Sequence, residues 1–384
     1  MLSEPSQNKL CHMIPVSNLE RPVSNDRAEI ESAIGRVLDS GWLVLGPENE
    51  ALEAELSTFL GVTDTILVGN GTDALEIALS SIGVRPGTSV LTVANAGGYA
   101  TTAIQKLGAQ PVYVDVDDGT LQMSLWGPRG LSEVVSSLAE APSAVIVTHL
   151  YGKAAPVEEI QGFLDRRGIP FIEDCAQSLG AKVRERRLGS FGLVSTTSFY
   201  PTKNLGALGD GGALFTSDTE IAARARALRQ YGWTSKYYSE FPGGQNSRLD
   251  EIQAAIIRFR LPKLDCLNHR RSEILRRFAS AGVSHLVFPN ANAPDNAAHL
   301  AVALTRNRPH AQQYFSKLGI QTAIHYPILD YNQAGFVGPA SHELPNSELL
   351  ANKILTLPLF PEMCESEIDF VQSAIEAYGR SVRA

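Results

Sequence analysis

The segment TSFYPTKNLGALGDGGALF, residues 197–215, places one lysine, Lys203, between a run typical of a β-strand and a glycine-rich turn. Three roles are open for this amine: neutralising a phosphate, lying in solvent, or forming a Schiff base with a carbonyl cofactor. A Walker-type phosphate loop is poorly supported, because that motif has its glycines before the lysine and Ser or Thr directly after it. Here Asn204 follows the lysine and the glycines come later.

The chain around this segment alternates between short apolar runs and helical periodicity. Strands are predicted at 65–68, 90–93, 111–116, 144–152, 170–174, 195–199 and 212–216, and helices at 72–82, 99–107 and 156–167. Continuous apolar strands separated by helices favour an α/β fold with a mainly parallel sheet covered on both faces. In such sheets ligands bind at the carboxyl ends of the strands.

The C-terminal third has a different pattern. A long helix is predicted over 247–280, bent by Pro262, followed by strands at 299–305 and 322–327 and helices at 309–318 and 366–379. We therefore expect two domains: a large α/β domain at 1–255, with an N-terminal helical arm, and a smaller α+β domain at 256–384.

Composition excludes several classes of protein. The 384 residues carry 33 basic and 41 acidic side chains, a net charge of −8, with no basic block, which argues against a nucleic-acid partner. No apolar run is long enough to span a bilayer, and the N-terminus lacks the apolar core of a secretory signal. The cysteines Cys11, Cys175, Cys266 and Cys364 lack metal-ligand spacing and suggest no disulfide framework. These features predict a reduced, cytoplasmic enzyme without a bound metal.

The first candidate site lies in TILVGNGTDALEIAL, residues 65–79. A strand ends at Val68, a Gly-Asn-Gly turn follows, and a helix opens at Thr72 and Asp73. A helix N-terminus has free N–H groups and a positive dipole end, which suit a phosphate. The alternative is that Thr72 or Asp73 only caps the helix.

The second candidate site is FIEDCAQSLGA, residues 171–181. Asp174 ends an apolar strand, and Gln177 follows almost one helical turn later. A buried acid is costly unless it has a cationic partner. Asp174 can hold a proton on a ring nitrogen, bind a metal, or cap the next short helix.

Together the three sites suit one cofactor. A helix N-terminus for a phosphate, an acid for a ring nitrogen and a lysine for an aldehyde follow one another along an α/β chain. Pyridoxal phosphate needs these groups, because it is held as a lysine Schiff base with an acidic partner at its pyridinium nitrogen. The sequence therefore predicts a pyridoxal-phosphate enzyme.

From about residue 13 onward the chain resembles the DegT/DnrJ/EryC1/StrS sugar aminotransferases, which belong to the fold type I, aspartate aminotransferase-like group. The resemblance rests on seven ordered segments: SGWLVLGPENEALEAEL (40–56), NGTDALEIAL (70–79), THLYGKAAPVEEI (148–160), IEDCAQSLGA (172–181), SFYPTKNLGALGDGGAL (198–214), NSRLDEIQAA (246–255) and TAIHYPI (322–328). It implies a mainly parallel seven-stranded sheet sandwiched by helices, with a smaller C-terminal α+β domain.

The resemblance also implies the roles of individual residues. Lys203 would bind the cofactor and act as acid and base, Asp174 would pair with the pyridine nitrogen, and Gln177 would lie near the ring. The phosphate would be held by Gly71, Thr72 and Asp73, largely through backbone N–H groups, and by Ser198.

Two further residues follow from the same likeness. Asn246 matches an asparagine that reaches the phosphate of the neighbouring subunit, which implies a homodimer with two shared active sites. His325, in the HYPI segment, matches a histidine at the substrate mouth; the alternative is a polar residue that ends a strand.

One segment departs from the family pattern. The usual P-x-x-T-[FY]-x-A-T carries an aromatic residue that stacks on the cofactor ring, whereas this chain has VANAGGYATTAIQKLGA at 93–109. Counting back from Leu107 places Gly97 where the aromatic residue is expected, and Tyr99 lies two residues later. Either Tyr99 stacks on the ring or another side chain covers it.

The expected reaction is amino transfer from L-glutamate, which leaves as 2-oxoglutarate, to a nucleotide-linked keto sugar, with the cofactor passing through pyridoxamine phosphate. The segment at 37–56 is more similar to sugar 3-aminotransferases, which favours a dTDP-linked 3-keto-6-deoxyhexose. UDP-linked sugars, 4-keto sugars and cyclitol ketones remain open, as does a non-catalytic regulator that keeps the cofactor.

Overall fold

The computed structural model describes residues 13–282, 285–291, 293, 296–336 and 343–381. The strands in these ranges are β1 (Asp64–Val68), β2 (Ser89–Val93), β3 (Gln110–Val114), β4 (Ala144–Thr148), β5 (Phe171–Asp174), β6 (Lys182–Val183), β7 (Arg186–Arg187), β8 (Val194–Ser198), β9 (Gly212–Thr216), β10 (Trp233–Ser235), β11 (Tyr238–Ser239), β12 (Leu286–Val287), β13 (Ala301–Thr305) and β14 (Ile354–Leu357). The helices are α1 (Glu20–Asn25), α2 (Arg27–Ser40), α3 (Pro47–Leu60), α4 (Gly71–Ser81), α5 (Tyr99–Lys106), α6 (Leu131–Ser137), α7 (Val157–Asp165), α8 (Thr219–Leu228), α9 (Glu251–Arg260), α10 (Leu264–Ala281), α11 (Arg308–Lys317), α12 (Pro345–Ala351) and α13 (Glu365–Ser381).

The large sheet has seven strands in the described part of the chain, in the order β1-β9-β8-β5-β4-β2-β3. Strand β9 pairs antiparallel with β1 and with β8, whereas the pairs from β8 to β3 are parallel. The predicted mainly parallel, seven-stranded α/β sheet is confirmed. Since β1, β5 and β8 run in the same direction, their carboxyl ends meet at one edge, where Asp174 and Ser198 lie.

Helices cover both faces of this sheet and so bury its strands on both sides. Helices α4, α5 and α8 supply Leu75, Ile104 and Leu228 to the core on one face. On the other face, Ile160 and Leu164 of α7 pack in a second core. The sheet edge that carries the predicted site is thus held by two packed layers.

Helix α3 illustrates a helix N-terminus closed by the chain itself. The buried carboxylate of Glu251 accepts hydrogen bonds from the backbone N–H groups of Gly46 (2.8 Å), Glu48 (2.8 Å) and Asn49 (2.9 Å). These N–H groups have no partner within the helix, so a carboxylate at this end satisfies them.

The long helix predicted over 247–280 is present as two helices. Helix α9 ends at Arg260, a 3₁₀ turn at Leu261–Lys263 contains Pro262, and α10 follows. Ile257 of α9 and Leu264 of α10 pack with the core of the large sheet, whereas Ile274 packs in a separate C-terminal core. The two ends of α10 therefore pack in different hydrophobic cores. The domain boundary at 255/256 itself stays a prediction.

The C-terminal unit contains the three-stranded antiparallel sheet β12-β13-β14, covered by α10, α11 and α13. The N-terminal segment joins this unit, because Ile14 pairs with Ile320 and is buried in the same core. The predicted strand at 299–305 and the helices at 309–318 and 366–379 are present within one or two residues.

The predicted strand at 322–327 is wrong. This segment makes a single bridge, Ala323 with Thr356, and then leaves the sheet. Strand β14 pairs with β13 in its place. The departure brings His325 and Tyr326 to the edge of the large sheet, and Thr356 Oγ1 is 2.9 Å from Nδ1 of His325.

In the described ranges, no helix is both long enough and apolar enough to cross a membrane. The free thiols described there are the buried Cys175 and the exposed Cys266 and Cys364, and Cys11 lies outside the described residues.

Candidate active site

A cavity of about 510 Å³ lies between the carboxyl edge of the large sheet and the C-terminal unit. Seven of the residues predicted from the sequence line it: Gly71, Thr72, Tyr99, Asp174, Ser198, Lys203 and His325. Segments more than 250 residues apart along the chain thus meet in one cavity.

The N-terminus of α4 opens into this cavity. The Asn70 side chain caps the helix by accepting the Asp73 N–H (2.9 Å). Within the described residues the N–H groups of Gly71 and Thr72 have no protein acceptor, in contrast to the closed N-terminus of α3. Free N–H groups at a helix N-terminus bind anions, so this turn suits a phosphate.

Gly71 allows the turn to lie against the end of β8. A Cβ atom at position 71 would be only 2.8 Å from Cβ of Ser198. Glycine therefore lets the two chain segments approach closely enough to form one anion-binding corner.

Asp174 ends β5 at the cavity wall and is only 7% exposed. Its Oδ1 accepts the Ala176 N–H (3.1 Å), and its Oδ2 accepts the Thr148 hydroxyl (3.3 Å). Burial raises the pKa of this carboxyl, and the hydrogen bond from Ala176 and the charge of Lys203 oppose that effect. A cation at this position, such as a protonated ring nitrogen, would stabilise the carboxylate.

Lys203 lies in the loop after β8, where its N–H donates to the Tyr200 carbonyl (2.8 Å). Burial lowers the pKa of the Lys203 amine, and Asp174 opposes that effect. A lowered pKa increases the fraction of neutral amine, the form that attacks a carbonyl.

Three predicted residues do not line the cavity. Gln177 lies behind it: its Oε1 accepts the Tyr151 N–H (2.7 Å), and its Nε2 donates to the Tyr326 hydroxyl (3.2 Å). The Asp73 carboxylate accepts the Ser247 hydroxyl (2.6 Å). Asn246 is exposed on the adjoining segment. Contacts of these three side chains with the cofactor stay predictions.

The loop at Gly97, where the sequence departs from the family pattern, packs against aromatic rings. A Cβ atom at Gly97 would lie 2.9 Å from the ring of Tyr326, and a Cβ atom at Gly98 would lie 2.7 Å from the ring of Phe336. Both glycines have positive φ, +83° and +81°. Aromatic rings from the C-terminal unit therefore occupy the space beside this loop. Tyr99 and Tyr326 also meet edge to face, with ring centroids 6.4 Å apart.

Several residues that line the cavity were not predicted from the sequence. They include Arg271, His299 and Tyr326, which belong to the C-terminal unit. Tyr326 directly follows His325 in a segment already matched to the family, so a signal for it was present. Arg271 stands among other arginines on α10, and nothing local distinguishes it.

His299 connects the C-terminal unit to the lysine loop. Its Nδ1 is 2.8 Å from Oδ1 of Asn204, whose Nδ2 donates to Asn268 and to the Ala297 carbonyl, each at 2.7 Å. An acceptor opposite Nδ1 places the proton there. Burial lowers the pKa of His299 well below its usual value, and the charges of Lys203 and Arg271 lower it further. His299 is thus a neutral imidazole beside Lys203.

His149, Glu173 and Cys175 form a buried group behind Asp174, with ligating atoms within 4.8 Å of one another. Nδ1 of His149 accepts the Ala155 N–H (3.1 Å), so Nε2 carries the proton and donates to Glu173 (3.1 Å). The Glu173 carboxylate also accepts backbone N–H groups, those of Gly189, Phe191 and Gly192. His149 and Glu173 thus form a hydrogen-bond network that supports the end of β5.

The chain matches the model of the DegT/DnrJ/EryC1/StrS aminotransferase family over residues 24–376. It is 37% identical to a dTDP-3-amino-3,4,6-trideoxy-alpha-D-glucose transaminase of Streptomyces venezuelae, over 96% of this chain and 97% of that one. It is 35% identical to a UDP-N-acetyl-3-dehydro-alpha-D-glucosamine 3-aminotransferase of Acidithiobacillus ferrooxidans, over 94% and 97%.

Among solved structures, the crystal structure of S. venezuelae DesV superposes with a TM-score of 0.90 at 35% identity, covering 96% of this chain and 99% of that one. The open helix N-terminus, the buried Asp174 and the Lys203 amine fit pyridoxal phosphate. The chain belongs to the DegT/DnrJ/EryC1/StrS family and is a pyridoxal-phosphate-dependent aminotransferase.

Proposed function

We propose that the enzyme transfers the amino group of L-glutamate to the keto group of a nucleotide-linked sugar, with a dTDP-linked 3-keto-6-deoxyhexose as the first substrate to test. The observation that carries this proposal is the single cavity that holds Lys203, Asp174 and the open N-terminus of α4. The dTDP-sugar relative in S. venezuelae supports the choice of nucleotide.

When bound, pyridoxal phosphate supplies an aldehyde for the amine and a ring that stabilises negative charge on the reacting carbon. In our proposal Lys203 holds the cofactor and then moves a proton at its Nζ. Asp174 keeps a proton on the ring nitrogen. Gly71, Thr72 and Ser198 bind the phosphate at the open end of α4.

We include in the proposal a homodimer in which Asn246 reaches the phosphate in the partner subunit's site. The exposed Asn246 adjoins Ser247, whose hydroxyl donates to Asp73 and accepts the Gly69 N–H (2.9 Å). Asn246 is therefore held beside the phosphate turn with its side chain outward. A cytoplasmic location, expected from the dispersed cysteines, belongs to the same proposal.

The first test is the visible spectrum of the purified holoenzyme before and after L-glutamate is added. We expect the absorbance of the lysine-bound cofactor to disappear and 2-oxoglutarate to form in equal amount. A spectrum unchanged by glutamate would exclude this donor. Lys203→Ala is the control, since it lacks the amine that binds the cofactor.

The second test supplies the aminated form with a set of keto sugars. The set contains a dTDP-linked 3-keto-6-deoxyhexose, its 4-keto isomer, a UDP-linked 3-keto sugar and a cyclitol ketone. We expect the first to restore the visible absorbance fastest. Faster recovery with the UDP-linked sugar would instead favour a UDP-linked 3-keto substrate, as in the name of the A. ferrooxidans relative. Recovery with none of these ketones would mean that the acceptor lies outside the set, whereas a cofactor that glutamate does not aminate in the first test would favour the non-catalytic regulator.

A further inference from the structure

Tyr151 is a buried residue that lies behind the cavity and contacts several segments of its wall. It belongs to the 3₁₀ turn Leu150–Gly152, which follows β4, and it is only 1% exposed. Its φ is +62°, in the left-handed region that glycine adopts far more readily than other residues. Because a tyrosine in this conformation is strained, we expect its side chain to make a contact that glycine could not make.

The turn around Tyr151 is hydrogen-bonded to the segment before β13. The Tyr151 carbonyl accepts the His299 N–H (3.1 Å), and the Gly152 carbonyl accepts the Ala297 N–H (3.0 Å). A Cβ atom at Gly152 would lie only 2.6 Å from the backbone nitrogen of His299. At this turn the large sheet and the C-terminal unit therefore meet backbone against backbone.

The side chain of Tyr151 holds a second segment of the C-terminal unit. Its hydroxyl donates to the His325 carbonyl (2.6 Å). Burial raises the pKa of this hydroxyl, so it keeps its proton and remains a donor. The hydrogen bond fixes the backbone directly before Tyr326, whose ring fills the space beside Gly97.

Gln177 connects Tyr151 to Tyr326 by a second path. The Tyr151 N–H donates to Oε1 of Gln177 (2.7 Å), which directs Nε2 of the same amide to the Tyr326 hydroxyl (3.2 Å). The two paths form a closed ring of contacts, from Tyr151 through Gln177 to Tyr326 and back through the carbonyl of His325. Tyr326 is thus held at its hydroxyl and at its main chain, and Tyr151 takes part in both attachments.

We propose that Tyr151 is a positioning residue of the cofactor site, which holds the Tyr326 ring at the cavity wall so that this ring covers the bound cofactor. Tyr326 lines the cavity together with Lys203 and Asp174, and Tyr151 acts through it from behind. The inference rests on the proposed function only in placing pyridoxal phosphate at Lys203. It is independent of the amino donor and of the keto sugar.

The test compares full-length Tyr151→Phe, Tyr326→Ala and the double variant with the control Tyr378→Phe. Tyr378 is equally buried but packs in the C-terminal core. Fluorescence titration of each apo-protein measures its affinity for pyridoxal phosphate, and urea unfolding checks that each variant is folded. Loss of the hydrogen bond to His325 should weaken cofactor binding by about 2- to 5-fold in Tyr151→Phe. Tyr378→Phe should bind as the wild type does.

The double variant shows whether Tyr151 acts through Tyr326. When the Tyr326 ring is absent, Tyr151→Phe should cause no further loss of affinity, so the two effects should be non-additive. A general loosening of the fold would instead give the same loss in both backgrounds. Additive losses would therefore overturn the inference, as would wild-type affinity in either Tyr151→Phe or Tyr326→Ala.

The holoenzyme gives a second readout that does not depend on affinity. The visible circular-dichroism band of the bound cofactor reports the asymmetric surroundings of its ring. In Tyr151→Phe this band should shift towards that of Tyr326→Ala and stay unchanged in Tyr378→Phe. A wild-type band in Tyr151→Phe would overturn the inference.

Failure of the proposed function has a different signature. A spectrum unchanged by glutamate, or keto sugars that are not aminated, would contradict the proposed donor or acceptor, yet cofactor affinity would still test Tyr151. Wild-type affinity in Tyr151→Phe would contradict the inference and leave the donor and acceptor as proposed.

Discussion

The two sides of the cavity differ in origin. The sheet side consists of strand ends and the loops after them, with Asp174, Lys203 and the open turn at Gly71. The C-terminal side consists of Arg271, His299, His325 and Tyr326, brought from α10 and from irregular segments of the second unit. Under the proposed roles, cofactor chemistry belongs to the sheet side, and the fit of the ring and the substrates belongs to the C-terminal side. Substitutions should therefore abolish the reaction on the first side and alter affinity on the second.

The largest effect is expected for Lys203→Ala. Removing the amine that binds the cofactor and moves the proton should reduce the amination rate at saturating substrate by at least about 10³-fold. The exposed Lys236→Ala is the control and should retain the wild-type rate. Substantial turnover by Lys203→Ala would break the assignment of chemistry to the sheet side.

Asp174→Asn should have the next largest effect. An amide cannot keep a proton on the ring nitrogen, so the rate should fall by about 10²-fold or more while the cofactor still binds. Thr148→Val, which removes the 3.3 Å hydrogen bond to Asp174, is the matched smaller change. Equal losses in both variants would mean that Asp174 has a structural role.

Tyr326 and Tyr99 can be compared as covers for the cofactor ring. The Tyr326 ring fills the space beside Gly97, so we expect Tyr326→Ala to weaken pyridoxal-phosphate binding by about 3- to 10-fold, the worth of one aromatic contact. Tyr326→Phe should bind nearly as the wild type does. Fluorescence titration of the apo-protein measures both. If Tyr99→Ala shows the loss and Tyr326→Ala does not, the alternative in which Tyr99 stacks on the ring holds.

The prediction with the smallest expected effect on the reaction concerns stability and its dependence on pH. Asp330 is buried behind Gly98, and its Oδ2 accepts the Thr101 hydroxyl (2.6 Å). Burial raises its pKa to about 7, against hydrogen bonds from Thr101 and Gly98 that lower it. Because the unfolded pKa is about 3.9, the folded state binds more protons between about pH 4 and 7.

The stabilising contribution of protonated Asp330 should therefore be complete below about pH 4 and disappear as the pH rises to about 7, by at most about 1.4 kcal/mol per pH unit. Urea unfolding of wild type and Asp330→Asn between pH 5 and 8 measures this difference. The variant should show a weaker decline with pH. Parallel curves for the two proteins would contradict the assignment to Asp330.

The contrast between the two sides also explains what could be predicted from the sequence. Local sequence patterns place three site residues: Asp174 at the end of a strand, Lys203 in the loop after a strand, and Thr72 at the start of a helix. Because ligands bind at the carboxyl ends of parallel strands, these positions predict one common edge of the sheet without knowledge of the packing. Arg271 and His299 reach the cavity through the packing of α10 and the segment before β13. Their neighbours in the sequence give no sign of that contact, so only the tertiary structure brings them to Lys203.

The prediction of a strand at 322–327 was wrong for a related reason. Its apolar alternation resembles a strand, yet β14 takes the place beside β13 and frees this segment. Local propensity was overridden by a competing partner 30 residues away in the chain. The freed segment is the one that carries His325 and Tyr326 to the cavity.

The close approach of Gly97 and Tyr326 has a consequence for how this enzyme can diverge. One volume beside the loop is filled by a ring attached at position 326, and a side chain at position 97 would compete for it. The two positions should therefore change together in evolution, with an aromatic residue at one and a small residue at the other. An engineered exchange, Gly97→Tyr with Tyr326→Gly, should be tolerated better than Gly97→Tyr alone. The residues at these two positions would then show which segment of the chain supplies the aromatic ring in each related enzyme.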